Sequence, residues 1–502
     1  MGSQPPITRE LATDIVRRLQ AAGFAAFWVG GCVRDFLLGR EPQDYDIATN
    51  ALPDAVEKLF PHTVAVGKKF GVIIVVESGQ QFQVATFRAE SDYQDGRRPE
   101  QITFGDPQAD ASRRDFTVNG LFYDPIAKQL RDWVGGEKDL RARVLRTIGS
   151  PEERFAEDHL RLLRAVRFAA QLDFEIEPQT FTAIQRLAPK IKDISAERIR
   201  EELVKLFSAP KASATSALTP ALSPGERGNV ADALANPTAS LSPQRGNEKT
   251  PLPGERVGVR AEQTPNYSPA ARGLDLLRDS GLLEQILPEL AATITCEQTP
   301  DYHPEGSVFN HLRLMLEKLP PDAPPSLPWA VLLHDIAKPV TATPDPQTGG
   351  IHFYEHEKIG ARMAGEILKR LRFSNDEIEE IVTCVRFHMQ FKDAPQMRKA
   401  TLRRLLLRET FPLELELHRL DCLGSHGQLN IYDFLVAQAA ELAQQPEIRP
   451  PLLTGADLIA LGAKPGPALG ALLAELREKQ LADELKTPAA ARAWASTKVK
   501  TG

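Results

Sequence analysis

The stretch VGGCVRDFLLGREPQDYDIAT, residues 29–49, contains two aspartates, Asp44 and Asp46, behind a double glycine and an arginine. An apolar run, FAAFW (residues 24–28), precedes it and predicts a short buried strand that ends in a glycine turn. Side chains alternate in extended backbone, so both carboxylates should face one side, with Cα atoms about 6–7 Å apart. Two such oxygen donors suit Mg²⁺ and phosphoryl transfer, and a solvated turn is the alternative.

The residues in front of the aspartates favour a site over a turn. Gly30 and Gly31 lack Cβ atoms, so backbone N–H groups there can approach a triphosphate closely, and Arg34 can add a charged contact. Together these residues predict a nucleoside triphosphate site with Mg²⁺ held by Asp44 and Asp46.

Composition sets the broad class of the protein. A chain of 502 residues is too long for one core and indicates three or four units. The net charge of −6 does not indicate a nucleic-acid binder, although arginines cluster in RRD (113–115) and RLLRAVRF (161–168). No apolar run reaches the ~18 residues of a membrane span, the start does not resemble a secretory signal, and the four cysteines are far apart. We therefore expect a cytoplasmic protein without a membrane partner.

Periodicity divides the chain into a strand-containing N-terminal part and a helical remainder. GVIIVVES and QFQVATFRAE predict a hairpin, and from about residue 151 the pattern is helical to the end. Residues 208–270 interrupt it with a Pro/Ser/Gly-rich segment that repeats LSPGERG as LSPQRGN and LPGERVG, and this composition predicts a disordered insert. We expect the helices on either side of the insert to pack as a hairpin.

Five motifs in order resemble the class II tRNA nucleotidyltransferase and bacterial poly(A) polymerase family, within the polymerase β-like nucleotidyltransferases. They are residues 29–49, SRRDFTVNGLFYDP (112–125), RDWVGGEKDLRARVLRTIG (131–149), EDHLRLLRAVRFA (157–169) and SAERIREEL (195–203). The resemblance implies an α+β fold: an N-terminal palm with a small mixed sheet and helices, then an all-α neck, body and HD-type helical domain.

The fourth motif predicts the choice of base. On a helix, Asp158 and Arg161 would be i, i+3 neighbours and would present an acceptor beside a donor, which matches cytosine and adenine and rejects uracil and guanine. The resemblance further implies that Arg114, Arg164 and Arg167 contact the incoming nucleotide and that Asn119 contacts its sugar. A solvated helix face is the alternative for these arginines.

Two features of this region bear on the activity. Residues 87–115 are polar and predict a mobile loop, which in the resembling family helps the change from C to A addition. Gln83 stands where many members have glutamate, so we expect Asp44 and Asp46 to act without a third carboxylate.

A second constellation resembles the HD metal-dependent phosphohydrolases. Its candidate ligands occur in the order H, HD, D with two further histidines between, and they are His311, His334, Asp335, His356, His388 and Asp421. Helices could bring them together on one or two divalent ions whose identity the sequence leaves open.

These observations predict six segments. They are a palm (1–146), neck helices (147–207), the insert (208–270), a helical body (271–305), an HD domain (306–445) and a helical tail (446–502). The predicted function is addition of C, C and A to the tRNA 3′ end from CTP and ATP. The alternatives are a poly(A) polymerase, an A-only or CC-only enzyme, and an HD phosphohydrolase with a nucleotide-sensing N-terminal domain. The sequence identifies no protein partner.

Overall fold

The computed structural model describes residues 8–65, 67–89, 104–208, 268–299, 303–344, 350–445, 448 and 450–501. These residues form two compact units. The first contains the described residues as far as Ile194, with Ser268, Pro269 and Asp279–Leu282; the second contains the described parts of Ser195–Pro210, Ala270–Arg278 and Leu283–Gly502. The predicted insert lies almost wholly outside the described residues, and the six segment boundaries stay predictions.

A seven-stranded mixed sheet organises the first unit. Its strands are β1 (Ala26–Val29), β2 (Ile47–Thr49), β3 (Thr63–Val64), β4 (Val72–Glu77), β5 (Gln80–Thr86), β6 (Phe122–Asp124) and β7 (Gln129–Arg131). The spatial order is β3-β4-β5-β2-β1-β6-β7, and every neighbouring pair is antiparallel except β2 with β5. The predicted α+β class, with a mixed sheet near the N-terminus, is confirmed.

The β4–β5 hairpin is also confirmed. Ser78 and Gly79 both have positive φ, 52° and 78°, which matches the twist of a two-residue hairpin turn. The register pairs Ile73 with Val84 and Val75 with Phe82, and all four of these side chains are buried.

The first unit also contains eight α-helices among the described residues. They are α1 (Thr8–Ala21), α2 (Gly31–Leu37), α3 (Pro53–Leu59), α4 (Pro107–Ser112), α5 (Gly136–Ala142), α6 (Pro151–Glu157), α7 (Leu160–Leu172) and α8 (Pro178–Leu187). The prediction of a loop over 87–115 was wrong for α4, where Asp106 caps the first turn by accepting from the Ala109 backbone. Residues 90–103 of that loop lie outside the described residues.

The second unit is mainly helical. Its helices are α9 (Ala196–Phe207), α10 (Pro269–Asp279), α11 (Leu282–Ile286), α12 (Pro288–Ala291), α13 (Val308–Glu317), α14 (Ser326–Leu333), α15 (Lys338–Thr341), α16 (His356–Arg370), α17 (Asn375–Phe387), α18 (Lys399–Leu406), α19 (Phe411–Gly424), α20 (Asn430–Ala443), α21 (Gly455–Ala460), α22 (Pro467–Leu481) and α23 (Pro488–Thr501). None of the described helices is long and apolar enough to cross a bilayer.

The prediction of helix alone after residue 151 was wrong in two places. Glu175–Ile176 (β9) pairs in parallel with Val144–Leu145 (β8), and Ala342–Pro344 (β10) pairs with Ile351–Phe353 (β11). These strands are two or three residues long, too short for the period-2 alternation that would have identified them.

The packing of α14 places the second unit's candidate ligands. Every residue from Leu327 to Leu333 is buried, as expected of a helix that is apolar all round. Helices α13, α17 and α19 pack against it, and each carries or adjoins a candidate ligand. Helices α9 and α10 also pack closely against each other at Gly273. A Cβ added there would lie 2.5 Å from Leu206 Cδ1.

Candidate active site and metal centre

The turn after β1 brings backbone against an arginine. Gly30 has φ 78°, and its N–H donates to the Leu121 carbonyl at 3.1 Å. A Cβ added at Gly30 would lie 2.9 Å from Arg114 Nη1, so the missing side chain is what lets that guanidinium approach. Gly31 then begins α2, and Arg34 follows one turn later.

Asp44 and Asp46 precede β2 and both face solvent, while Tyr45 between them is buried and packs against Trp28 with ring centroids 4.8 Å apart. The alternation agrees with the predicted shared face. Desolvation raises the pKa of Asp46; Arg114 opposes this shift, and Asp44 adds to it.

Asp46 and three arginines line one cavity of about 260 Å³. Its lining residues are Val29, Asp46, Ile47, Val72, Gln83, Ala85, Arg88, Arg113 and Arg114. Gln83 reaches this cavity because β5 runs parallel to β2, with Val84 opposite Ile47. The residue beside Asp46 is therefore an amide and not a third carboxylate.

Buried Asp110 holds two of these arginines. Its carboxylate accepts from Arg113 Nε at 2.8 Å and from Arg114 Nη2 at 3.0 Å, and also from the Arg88 backbone N–H. Burial alone would raise the pKa of Asp110, but the charges of Arg114 and Arg113 outweigh it and lower that pKa. Sequence reasoning missed Asp110, which lies on α4. Arg113 and Arg114 follow it by three and four positions, and this spacing was a usable signal.

A hydrogen-bonded chain links residues of three motifs. Arg34 Nη1 donates to Asn119 Oδ1 at 2.7 Å, and Asn119 Nδ2 donates to Asp115 at 3.1 Å. Arg164 Nη2 donates to the other oxygen of Asp115 at 2.7 Å. The structure thus brings Arg34, Asn119 and Arg164 together through Asp115, a residue that sequence reasoning did not select.

Phe168 on α7 is a second link between the predicted residues. The guanidinium carbons of Arg34, Arg164 and Arg167 lie 5.3, 5.1 and 4.0 Å from its ring centroid, within cation–π range. Arg167 also donates to Gln171 at 2.9 Å.

The prediction that Asp158 and Arg161 share a helix was wrong for Asp158. Helix α6 ends at Glu157 and α7 begins at Leu160, so Asp158 lies at the junction with extended φ and ψ, and its side chain accepts from the Leu160 N–H at 3.1 Å. Carboxylates at helix starts take such N–H groups, which explains why the helix does not run through. Arg161 Nη1 contacts Glu157 and the Arg154 carbonyl.

In the second unit, three histidines are oriented by the same local contact. The Nδ1 atoms of His334, His356 and His388 lie 2.9, 2.8 and 2.7 Å from the carbonyls of Val331, Phe353 and Val385. Each carbonyl belongs to the residue three positions earlier. Because a carbonyl oxygen can only accept a hydrogen bond, each Nδ1 carries the proton and each Nε2 points inward.

All three Nε2 atoms converge on Asp335. His334 Nε2 lies 3.2 Å from one carboxylate oxygen, and His356 and His388 lie 3.4 and 3.8 Å from the other. Burial alone would raise the pKa of Asp335, but His334 and Lys338 hold it well below its ordinary value. Burial and the neighbouring His334 lower the pKa of His388 to about 3.

His311 and Asp421 complete the predicted set. His311 Nε2 lies 3.1 Å from Asp421 Oδ1, and its Nδ1 lies 2.7 Å from Glu305. Burial opposes protonation, yet the hydrogen bonds to Asp421 and Glu305 raise the pKa of His311 to about 9. Sequence reasoning missed Glu305 and Lys338. Lys338 lies 2.7 Å from Asp335 and follows it by three positions, a spacing that was a usable signal.

This donor set fits a divalent ion. His334 Nε2 is buried without a hydrogen-bond partner among the described residues, which is costly unless something binds that lone pair. Two groups with mutually close ligand atoms share Asp335, namely His311–His334–Asp335 and Asp335–His356–His388. Imidazole and carboxylate ligands suit Mn, Fe, Ni or Zn, and the geometry does not identify the ion.

Known proteins resemble both units. Residues 26–146 match the poly A polymerase head domain, residues 173–218 the probable RNA and SrmB-binding site of polymerase A, and residues 303–423 the HD domain. The CCA-adding enzymes of Staphylococcus aureus strains MRSA252 and Newman are each 47% identical over 199 residues, 39% of this chain and 50% of the relative. The chain thus spans about half the length of these curated relatives.

Solved structures share the fold over nearly the whole chain. The Bacillus stearothermophilus CCA-adding enzyme in complex with CTP has a TM-score of 0.66 at 24% identity and covers 99% of this chain and 98% of its own. A CCA-adding enzyme complexed with ATP has a TM-score of 0.56 at 16% identity, with coverages of 98% and 95%. Residues 26–146 and 303–423 therefore match the poly A polymerase head domain and the HD domain, and nearly the whole chain shares the fold of CCA-adding enzymes.

Proposed function

We propose that this protein is a template-independent nucleotidyltransferase that adds C, C and A to the 3′ end of tRNA, using CTP and ATP and releasing pyrophosphate. The observation that carries the proposal is the position of Asp46 and Arg114 in one cavity beside the Gly30 turn. A carboxylate that holds a metal and a guanidinium that holds phosphate are the two parts that phosphoryl transfer requires.

The chain's residues would divide the work as follows. Asp44 and Asp46 hold Mg²⁺, while Gly30, Gly31 and Arg114 receive the triphosphate. Arg34, Asn119, Arg164 and Arg167 contact the nucleotide or its sugar and are held in place through Asp115 and Phe168. When bound, Mg²⁺ supplies activation of the attacking 3′-hydroxyl and neutralises charge on the phosphates.

Base choice is assigned to Asp158 and Arg161. The described contacts of Arg161 with protein use Nη1, and the guanidinium has further N–H donors on Nε and Nη2. Those donors can face cytosine N3 or adenine N1 while Asp158 accepts from the exocyclic amine. Cytosine and adenine present the same order of groups, so one pair of side chains can serve both nucleotides.

The products on truncated tRNAs separate CCA addition from its alternatives. Purified protein is given tRNAs that lack CCA, CA or A, with CTP, ATP or both, and the products are resolved on a gel. CCA addition predicts a rebuilt end of fixed length on all three, whereas long A tails indicate a poly(A) polymerase and partial ends indicate an A-only or CC-only enzyme. Asp46→Asn should abolish extension, and Asp14→Asn, at an exposed carboxylate paired with Arg17, is the matched control.

We also propose that the HD domain is a metal-dependent phosphohydrolase that acts on phosphorylated or 2′,3′-cyclic RNA ends. The supporting observation is the buried convergence of His334, His356 and His388 on Asp335. Hydrolysis is measured with Ni²⁺, Mn²⁺ or Mg²⁺ for the unmodified protein, His334→Ala and Asp335→Ala, with exposed His426→Ala as the control. Equal rates in all four proteins would exclude this activity.

The rival assignment makes the HD domain the working part and the first unit a nucleotide sensor. It predicts that Asp44→Ala leaves the main activity intact. Our proposal predicts the opposite, namely loss of CTP and ATP incorporation with hydrolysis unchanged.

A further inference from the structure

A side-chain cluster lies next to the HD ligands and is not used by any role assigned above. Glu305 precedes α13, and its side chain is only 5% exposed. Its Oε1 lies 2.9 Å from His303 Nδ1 and 2.7 Å from His311 Nδ1. Oε2 is buried and has no hydrogen-bond partner within the part of the chain that the structure describes. A buried acceptor without a partner is destabilising, and such a group in a folded protein usually has a functional reason.

The chemistry of Glu305 fixes the tautomer of His311. An ionised carboxylate only accepts hydrogen bonds, so His311 Nδ1 must carry the proton that it donates. To bind an ion, His311 must release the proton on Nε2, the atom that faces Asp421 at 3.1 Å, and the lone pair is then on Nε2.

His311 is oriented differently from its neighbours. The Nδ1 atoms of His334, His356 and His388 donate to neutral backbone carbonyls, whereas His311 donates to a charge. A carboxylate behind a metal-binding imidazole makes the ring a stronger donor to the ion and prevents it from flipping.

We infer that Glu305 is a positioning residue that fixes the orientation of His311 as a metal ligand, with His303 holding the same carboxylate from the other side. This inference rests on the proposed HD metal centre. In this assignment Glu305 acts through His311 and sets how tightly the centre holds Mn²⁺ or Ni²⁺. Its carboxylate also forms, with His303 and His311, a third group of mutually close ligand atoms.

The test measures metal affinity in the full-length chain rather than hydrolysis. Protein stripped with chelator is titrated with Mn²⁺ or Ni²⁺ by calorimetry, and bound metal is counted after dialysis. We expect Glu305→Ala to raise the Kd about 10–100-fold, the range typical of outer carboxylates. Glu305→Gln should have a smaller effect because its amide oxygen can still accept from His311, and His303→Ala should have the smallest effect of the three.

The matched control is Glu297→Gln, an exposed carboxylate on the segment that bridges to Ser307. It should bind metal like the unmodified chain, and CTP and ATP incorporation should be unchanged in every variant. A Kd for Glu305→Ala and Glu305→Gln equal to that of the unmodified chain overturns the role of Glu305 and leaves the metal centre intact. Failure of the unmodified chain to bind Mn²⁺ or Ni²⁺ overturns the metal centre and the inference together.

Discussion

At the scale of single residues, the approach of Arg114 to the β1–α2 turn depends on one missing methyl group. Gly30→Ala would place a Cβ 2.9 Å from Arg114 Nη1 and force an L residue into φ 78°. We expect a loss of about 1 kcal/mol or more in the free energy of unfolding and at least a tenfold loss in kcat/KM for CTP and ATP. Denaturant unfolding and steady-state kinetics measure the two effects.

Gly23→Ala tests the effect of backbone strain without displacing Arg114. Gly23 has φ 90°, yet a Cβ there meets nothing within 4 Å. It should destabilise the fold similarly and leave kcat/KM unchanged. Equal kinetic losses in the two variants would show that backbone strain, not the position of Arg114, governs the site.

Asp115 should make stability depend on pH in a definite direction. Burial alone would raise its pKa, but Arg164 and Asn119 lower it below the ordinary value. A lowered carboxyl pKa contributes stability that is present above the unfolded pKa, near 4, and is lost as pH falls through the folded pKa. Asp115→Asn should therefore cost about 1.5–3 kcal/mol at pH 7 and progressively less below pH 4, as measured by urea unfolding. A constant cost across this range would contradict the argument.

The sequence was sufficient to select the candidate site residues but not the residues that hold them in place. Asp44, Asp46 and the HD histidines were selected because carboxylate and imidazole groups in ordered motifs indicate metal sites. Asp115, Phe168 and Glu305 act through contacts made in the fold: Asp115 meets Arg164, 49 positions away. No local pattern records such a pairing.

At the scale of elements, α7 presents one aromatic ring to three arginines. Phe168→Leu keeps an apolar side chain but removes the ring over which Arg34, Arg164 and Arg167 lie. Each cation–π contact contributes about 0.5–1 kcal/mol or more. We expect KM for CTP and for ATP to rise together by about 5–50-fold. The substitution would disorder the three arginines and leave the proposed base-reading pair, Asp158 and Arg161, unchanged.

Phe155→Leu is the control for the loss of a buried ring. Phe155 on α6 is fully buried and makes no ring contact with an arginine among the described residues. It should lower stability without changing either KM. A rise in KM for one nucleotide only in Phe168→Leu would instead indicate that this ring takes part in base choice.

Elements differ in how far the sequence predicts them. The β4–β5 hairpin and α1 follow from the β-branched apolar runs and the helical spacing that their own residues carry. The break between α6 and α7 does not, because residues 151–172 look helical throughout and Asp158 ends the pattern by binding the Leu160 N–H. The strand order, including the parallel β2–β5 pair that brings Gln83 beside Asp46, depends on contacts across the sheet.

At the scale of the whole molecule, two units with separate cores carry two separate candidate sites. Scanning calorimetry should therefore show two transitions, because chains with several units depart from two-state unfolding. Mn²⁺ at about 100 times its Kd should add about 2.7 kcal/mol to the unit that binds it, which corresponds to a Tm rise of about 5–10 °C. CTP with Mg²⁺ should raise the other transition.

Asp335→Ala should abolish the Mn²⁺ shift alone, and Asp46→Asn should reduce the CTP shift alone. If either ligand moved both transitions equally, the two sites would be coupled, and activity losses from substitutions in one unit could not be assigned to that unit.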